Sequence, residues 1–299
     1  MNAQQHHPLL FEMIRSFTTL ARHLNLSHAV AELNSTRQTV RRHIAQLEEA
    51  RGEALFVVKD RRYELTEAGL SALPDALDMQ ARASAWLRGQ TGANNNMQYL
   101  TAQEGEWDFF QQQQPVGQIW EYDDPLMRET FRAWAMSAGQ IEHPAFTHVR
   151  PYLIVYRHTA AGWICVEFGE ESFYVQWFGL AMARSSIGRP LGRMPGGEDF
   201  ARMLDQPFHD VEASQSARLD HIFTQVPRME SVGLEPIAYR RLMLGGRFPD
   251  NSLAVLSLVT PTVEIDVPDL DPARLARVEN FASVVFDAGE AKYERFNVN

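Results

Sequence analysis

Residues 33–48, Leu-Asn-Ser-Thr-Arg-Gln-Thr-Val-Arg-Arg-His-Ile-Ala-Gln-Leu-Glu, constrain this chain more than any other stretch. Val40, Ile44 and Leu47 recur at i, i+4 and i+7, the spacing of one buried stripe along a helix. Thr36 stands where an N-cap hydroxyl accepts from the first unpaired backbone amides. Arg37, Gln38, Arg41 and Arg42 fall on the opposite face, within the first two turns. Arginine presents a planar fork that fits guanine edges or phosphates, and glutamine pairs bidentately with adenine. A short helix ending near Leu33 comes just before, with only Asn34 and Ser35 between. Two helices joined so closely, the second polar in front and apolar behind, predict a helix-turn-helix with its reading helix second.

The flanks extend this unit. Residues 8–24 read as a first helix, with Leu10, Ile14, Phe17, Leu20, Ala21 and Leu24 at helical spacing. A break at Asn25 is followed by Ser27 as the expected N-cap of the second helix. The reading helix is expected to stop near Gly52. Residues 54–58 then read as a strand and 63–65 as its return partner, with Lys59, Arg61 and Arg62 clustered at the tip. Three helices and a hairpin in this order make a winged helix-turn-helix over residues 8–66.

In these residues the chain resembles the amino-terminal domain of LysR-type transcriptional regulators. The resemblance covers about residues 10–69 and is carried by Phe17, Asn25-Leu26-Ser27, Ala29-Val30 and Leu33. Val40, Ile44, Leu47-Glu48, Gly52, Leu55-Phe56 and Leu65-Thr66-Glu67-Ala68-Gly69 keep the same register. It implies that Ser27 and Thr36 touch phosphates, and that Arg37, Gln38, Arg41 and Arg42 face the major groove of double-stranded DNA. Arg41 stands where the family usually has Ser, which implies an altered site preference. Val58 stands where the wing usually has Arg, which leaves the wing contact to Lys59, Arg61 or Arg62. The resemblance also makes residues 67–90 a linker helix that pairs protomers, so a homodimer or homotetramer is expected. The sequence itself is helical here, with Leu70, Leu73, Leu77, Ala81, Ala85 and Trp86 along one side.

Net charge by itself opposes a nucleic-acid partner, since 28 Lys+Arg against 38 Asp+Glu leave a net of −10. Its distribution reverses that objection. Residues 1–90 hold 11 basic and 10 acidic side chains, and the acidic excess lies wholly beyond them. A local basic surface on an acidic protein binds DNA while limiting nonspecific adhesion. No apolar run approaches the roughly 18 residues of a membrane helix, and a single cysteine excludes an intrachain disulfide. A cytoplasmic protein with no membrane partner is expected.

The remainder is less legible. Residues 91–117, with Thr-Gly-Ala-Asn-Asn-Asn and Gln-Gln-Gln-Gln-Pro, read as a flexible linker. Residues 118–265 give a helix over 126–138 and strands over 152–158 and 163–169. Short helical pieces at 172–178 and 198–204 follow, then a longer helix over 211–225 and strands over 237–244 and 253–260. This order, with scattered aromatics, is similar to PAS-like units attached to bacterial regulators. Residues 266–299 read as a C-terminal helix, over 271–288, and a tail. The expected fold class is therefore α+β in two domains: an α-rich winged helix-turn-helix with its linker helix, then a PAS-like α/β sensor domain with an antiparallel sheet.

Trp163, Phe168, Tyr174 and Trp177 are candidates to line a ligand pocket, although aromatics in strands also serve as core. Cys165, between Ile164 and Val166, reads as inert packing. His143, His148 and His158 match no metal-ligand spacing, so surface or capping roles are expected and no metal site. The Gly-Arg-Met-Pro-Gly-Gly stretch from Gly192 lacks the Lys-Ser/Thr of a phosphate loop. No nucleophile, base and acid share a meaningful spacing, so no catalytic residue is expected, and no cofactor is named by any motif. These features predict a DNA-binding transcriptional regulator whose second domain senses a signal or mediates oligomerisation, with a small-molecule effector or a protein partner. The alternative is a ligand-binding or enzymatic protein whose helix-turn-helix serves mainly oligomerisation.

Overall fold

A computed structural model describes residues 9–59, 62–87, 89, 91–94, 96–104, 107–159, 162–195, 197–227 and 233–278. The chain divides into two compact units after Gly89.

The first unit runs α1 (Leu10–His23), α2 (Leu26–Glu32), α3 (Arg37–Arg51), β1 (Phe56–Lys59), β2 (Arg62–Leu65) and α4 (Glu67–Leu87). Phe17, Leu20, Ala29, Val40 and Leu55 are buried at its centre, and Phe17 meets Phe56 edge-on at 5.6 Å. The cap of α2 corrects the expectation for Ser27. The Asn25 side chain accepts from the amides of Ser27 and His28, because Asn25 is the last extended residue before the helix.

The join between α3 and the wing is built from three residues of the motif. The Glu48 carboxylate accepts from the amides of Leu55 at 2.8 Å and Phe56 at 3.1 Å. The Thr66 hydroxyl donates to Ala54 O at 2.6 Å and accepts from Gly69 N at 2.9 Å, capping α4. Gly69 lies so close to the Leu55 carbonyl that a Cβ there would stand 2.1 Å from its oxygen.

The second unit is organised by an eight-stranded antiparallel sheet, in the order β3-β4-β5-β8-β9-β10-β6-β7. Its strands are β3 (Thr91–Asn94), β4 (Met97–Glu104), β5 (Trp107–Gln114), β6 (Ile154–Thr159), β7 (Gly162–Phe168), β8 (Ala217–Pro227), β9 (Leu234–Arg247) and β10 (Leu253–Pro261). Residues 91–117, expected as a flexible linker, instead supply three of these strands. The glutamines misled because Gln111 and Gln114 find side-chain partners inside the fold. Gln111 meets Asp220 and Arg241, and Gln114 donates to Asp266 O at 2.7 Å.

Side chains alternate across the central strands. On one face Leu242, Leu244 and Leu256 pack beneath α5 (Pro125–Ser137) through Leu126 and Met127. On the other, Met243 and Val255 pack against Phe208 and Val211 of α8 (Gly197–Ser214). The short helices α6 (Phe173–Phe178) and α7 (Leu180–Ser186) lie between β7 and α8 in the chain. Gly245 and Gly246 of β9 leave no room for side chains, since a Cβ on either would approach Gln215 Cα to 2.6 Å or Leu256 Cδ1 to 2.8 Å.

The expected helix over 211–225 is also corrected. Helix α8 absorbs the expected 198–204 piece and ends at Ser214, and residues 217–227 form β8. A strand covered on both faces loses the alternation that announces it, and β8 is buried almost continuously from Arg218 to Thr224. Within the expected C-terminal helix the described residues show only α9 (Pro272–Leu275) and a turn after it. The rest of that helix lies outside the described residues.

Candidate nucleic-acid interface and ligand cavity

Helix α3 is seated by Val40, Ile44 and Leu47 and by one buried polar contact, Ser16 Oγ to His43 Nδ1 at 2.8 Å. That seating turns Arg37, Gln38, Arg41 and Arg42 outward, and all four are exposed. The Thr36 side chain caps the helix by accepting from Thr39 N at 3.1 Å. Arg37 donates to Ser27 Oγ at 2.8 Å, so the structure brings Ser27, Thr36 and Arg37 together where α2 meets α3. The helix N-terminus adds its unpaired amides and positive dipole end to this cationic surface.

In the wing, Lys59 and Arg62 are exposed and directly opposite one another in register. Lys59 Nζ pairs with Glu64 Oε2 at 2.9 Å across the same hairpin. Arg61 lies outside the described residues. On α4, Leu70 and Leu77 are 54% and 42% exposed, seven residues apart and so on one face, and Trp86 is 69% exposed.

The second unit contains a mostly apolar cavity of about 120 Å³ between the sheet and helices α6 and α8. Of the four aromatics expected to line a pocket, Tyr174 and Trp177 do so. Phe168 stacks behind Tyr174 at 4.4 Å, and Trp163 packs against Phe208 and the His158 ring instead. Phe208 of α8 and Ile237 and Tyr239 of β9 complete much of the wall and were not anticipated, because two segments distant from Tyr174 and Trp177 in sequence supply them.

Arg241 is the charged group at this wall. It belongs to a buried cluster in which Asp220 Oδ2 accepts from Arg241 at 3.0 Å and Asp220 Oδ1 accepts from Arg218 at 2.9 Å. Arg218 also donates to Asp210 at 2.9 Å. The Arg241 Nε–H has no hydrogen-bond partner among the described residues.

On the opposite face of the sheet, His221 sits in a second polar cluster. Its Nδ1 accepts from Asp266 N at 2.8 Å, and its Nε2 lies 2.8 Å from the Tyr122 hydroxyl, which donates to Gln118. Burial first, and the Arg240 guanidinium second, hold the imidazole down at about 4. Burial pushes the Cys165 thiol well up, which fits inert packing. His143 caps a short turn by accepting from Ala145 N at 3.1 Å, and His148 lies 3.8 Å from Glu129. No helix among the described residues is long and apolar enough to cross a membrane.

Residues 11–70 match the family described as bacterial regulatory helix-turn-helix protein, lysR family. The HTH-type transcriptional activator AmpR of Providencia stuartii is 38% identical over 74 residues, covering 25% of this chain and 25% of that protein. The chain thus spans about a quarter of the length of the curated relative it matches. Among solved structures, a transcriptional regulator of the LysR family from Eggerthella lenta is 39% identical, covering 22% of this chain and 93% of its own, with a TM-score of 0.21. The CbnR_DBD–DNA complex is 28% identical, covering 26% of this chain and 94% of its own, with a TM-score of 0.24.

Proposed function

We propose that this chain, whose residues 11–70 form a lysR-family helix-turn-helix, is a sequence-specific DNA-binding transcriptional regulator acting in the cytoplasm. The observation that carries the proposal is the outward face of α3. Arg37, Gln38, Arg41 and Arg42 stand exposed directly after an N-cap, on a helix whose other side is locked into the core. Thr36 and Ser27 position the helix end against phosphates, and Lys59 and Arg62 supply the wing. Arg41, with its bidentate fork, reads a guanine where a hydroxyl would accept several bases.

Two copies act together, paired through the face of α4 that leaves Leu70 and Leu77 exposed. A pair places two reading helices on successive turns of the duplex. The second unit supplies the input, and its order of a β6–β7 hairpin, helices and then the three strands β8–β10 supports a PAS-like sensing role. Its cavity of about 120 Å³ suits an effector no larger than a substituted aromatic ring. Arg241 Nε offers a donor to an oxygen on that effector.

Fluorescence anisotropy on a duplex selected from a random library tests the DNA reading. The affinity is expected to fall steeply with salt, and Arg37→Ala with Arg41→Ala to weaken it by roughly 10-fold or more while relaxing sequence preference. Unchanged affinity and preference in that double variant would overturn the assignment of α3. Sedimentation of the same protein reports the oligomer, and a strict monomer would remove the paired-helix arrangement.

A further inference from the structure

Helix α8 and strand β6 bring together three side chains from two distant parts of the chain. His209 and Glu212 stand at i and i+3 on α8, on one face of the helix, and His158 reaches the same point from β6. His158 Nδ1 lies 3.2 Å from Glu212 Oε2, and His209 Nδ1 lies 3.9 Å from the same oxygen. One ligand atom from each residue falls within 4.8 Å of the others.

We infer that His158, His209 and Glu212 form a binding site for a divalent transition-metal ion of the zinc class. Ligands bound tetrahedrally at about 2.0–2.2 Å from zinc stand roughly 3.4 Å from each other. The His158–Glu212 separation already matches, and the His209–Glu212 separation closes with a small side-chain rotation. Two imidazoles and one carboxylate select a borderline ion over calcium or magnesium, which take oxygen ligands. Three protein ligands leave a fourth position open to water or to an acidic group on an incoming molecule.

The surroundings hold this arrangement. With His209 Nδ1 on the ion, its Nε2–H points to Asp205 Oδ2, 3.5 Å away and one turn earlier on α8. A carboxylate behind a ligating histidine orients the ring and raises its basicity. The His158 ring stacks on Trp163 at 4.8 Å with a 14° tilt, and His209 packs edge-on to His158 at 4.9 Å. The three ligand side chains are 27%, 20% and 19% exposed, which leaves an entry path from solvent. Phe208, next to His209, lines the apolar cavity, so an ion here ties α8 to β6 beside that cavity. The site stands independently of the DNA-binding reading.

The full chain, stripped with chelator, is titrated with Zn²⁺ alone by calorimetry and with Co²⁺ by visible absorption. One ion per chain is expected, with the intense visible bands of low-coordinate cobalt. Glu212→Gln and His209→Ala should each weaken binding by 100-fold or more, and Asp205→Asn by about 10–100-fold. Circular dichroism of each variant separates lost ligation from lost folding. His6→Ala with His7→Ala controls for adventitious binding near the N-terminus and should leave the affinity unchanged. Absence of binding to the unaltered chain, binding that survives Glu212→Gln, or binding abolished by the His6/His7 double variant would each overturn the site.

Discussion

The Ser16 hydroxyl and the His43 imidazole meet at 2.8 Å in the buried seam between α1 and α3. It ties α3 to α1, the element against which α3 packs most extensively. Ser16→Ala leaves a ring nitrogen unpaired in the core, at a cost of about 1–3 kcal/mol. Thermal unfolding of the first unit should shift down accordingly, while DNA affinity of the protein that remains folded changes less than about twofold. A larger loss of affinity than of stability would show that the seam also tunes the pose of α3.

Gly69 makes a second test. Its Cβ would stand 2.1 Å from the Leu55 carbonyl oxygen, so Gly69→Ala must push α4 away from the start of the wing. A loss of about 1–3 kcal/mol is expected, the range for overpacking a tight site. Ser71→Ala, two residues on and exposed, serves as the control that should leave the denaturation midpoint in place.

Asp220 compensates two buried guanidiniums, Arg218 and Arg241. Asp220→Asn keeps the shape and removes the charge, and should cost about 3–5 kcal/mol because both cations stay desolvated. Combining it with Arg241→Met should cost less than the sum of the two single changes, since one uncompensated charge leaves with the arginine. Urea denaturation of the four proteins measures the coupling directly.

His221 gives a pH dependence with a definite sign. Its folded value is lowered to about 4 from an ordinary 6.5, so between these values the unfolded chain takes up a proton that the folded chain refuses. Stability is therefore complete above pH 6.5 and is lost as the pH falls towards 4, by about 3 kcal/mol in total. The midpoint of thermal unfolding should drop across this window. His221→Gln should flatten the drop even if it lowers the midpoint throughout.

How much of this was legible follows from where the information lies. The first unit could be read because its elements are local: Thr36, Gly52, the Val40–Ile44–Leu47 stripe and the hairpin each declare themselves within a few residues. The strands β6, β7, β9 and β10 were recognisable from their apolar runs and the turns between them. Strands β5 and β8 were not, since Gln111, Asp220 and Arg218 look solvent-loving until their partners in neighbouring strands are known. The same reason hid the histidine–glutamate site, because His158 and His209 meet only after β6 and α8 have packed. Two of four expected cavity aromatics landed on the wall, as aromatic content marks the apolar region without saying which ring faces the space.

Arg240 and Arg241 are chain neighbours on opposite faces of β9, one over the Tyr122 ring at 3.8 Å and beside Glu264, the other on Asp220. A strand shifted by one position would still offer one of the two acidic sites a guanidinium, so charge alone is a weak proofreader of alignment. Gly245 and Gly246 do the checking. A slip one way drives Leu244 into the slot that tolerates no atom beyond the Gly245 backbone, and a slip the other way drives Arg247 into that of Gly246. The pair works like the notch of a key: β9 seats between β8 and β10 in a single alignment, and with it the cavity wall and both arginines fall into place.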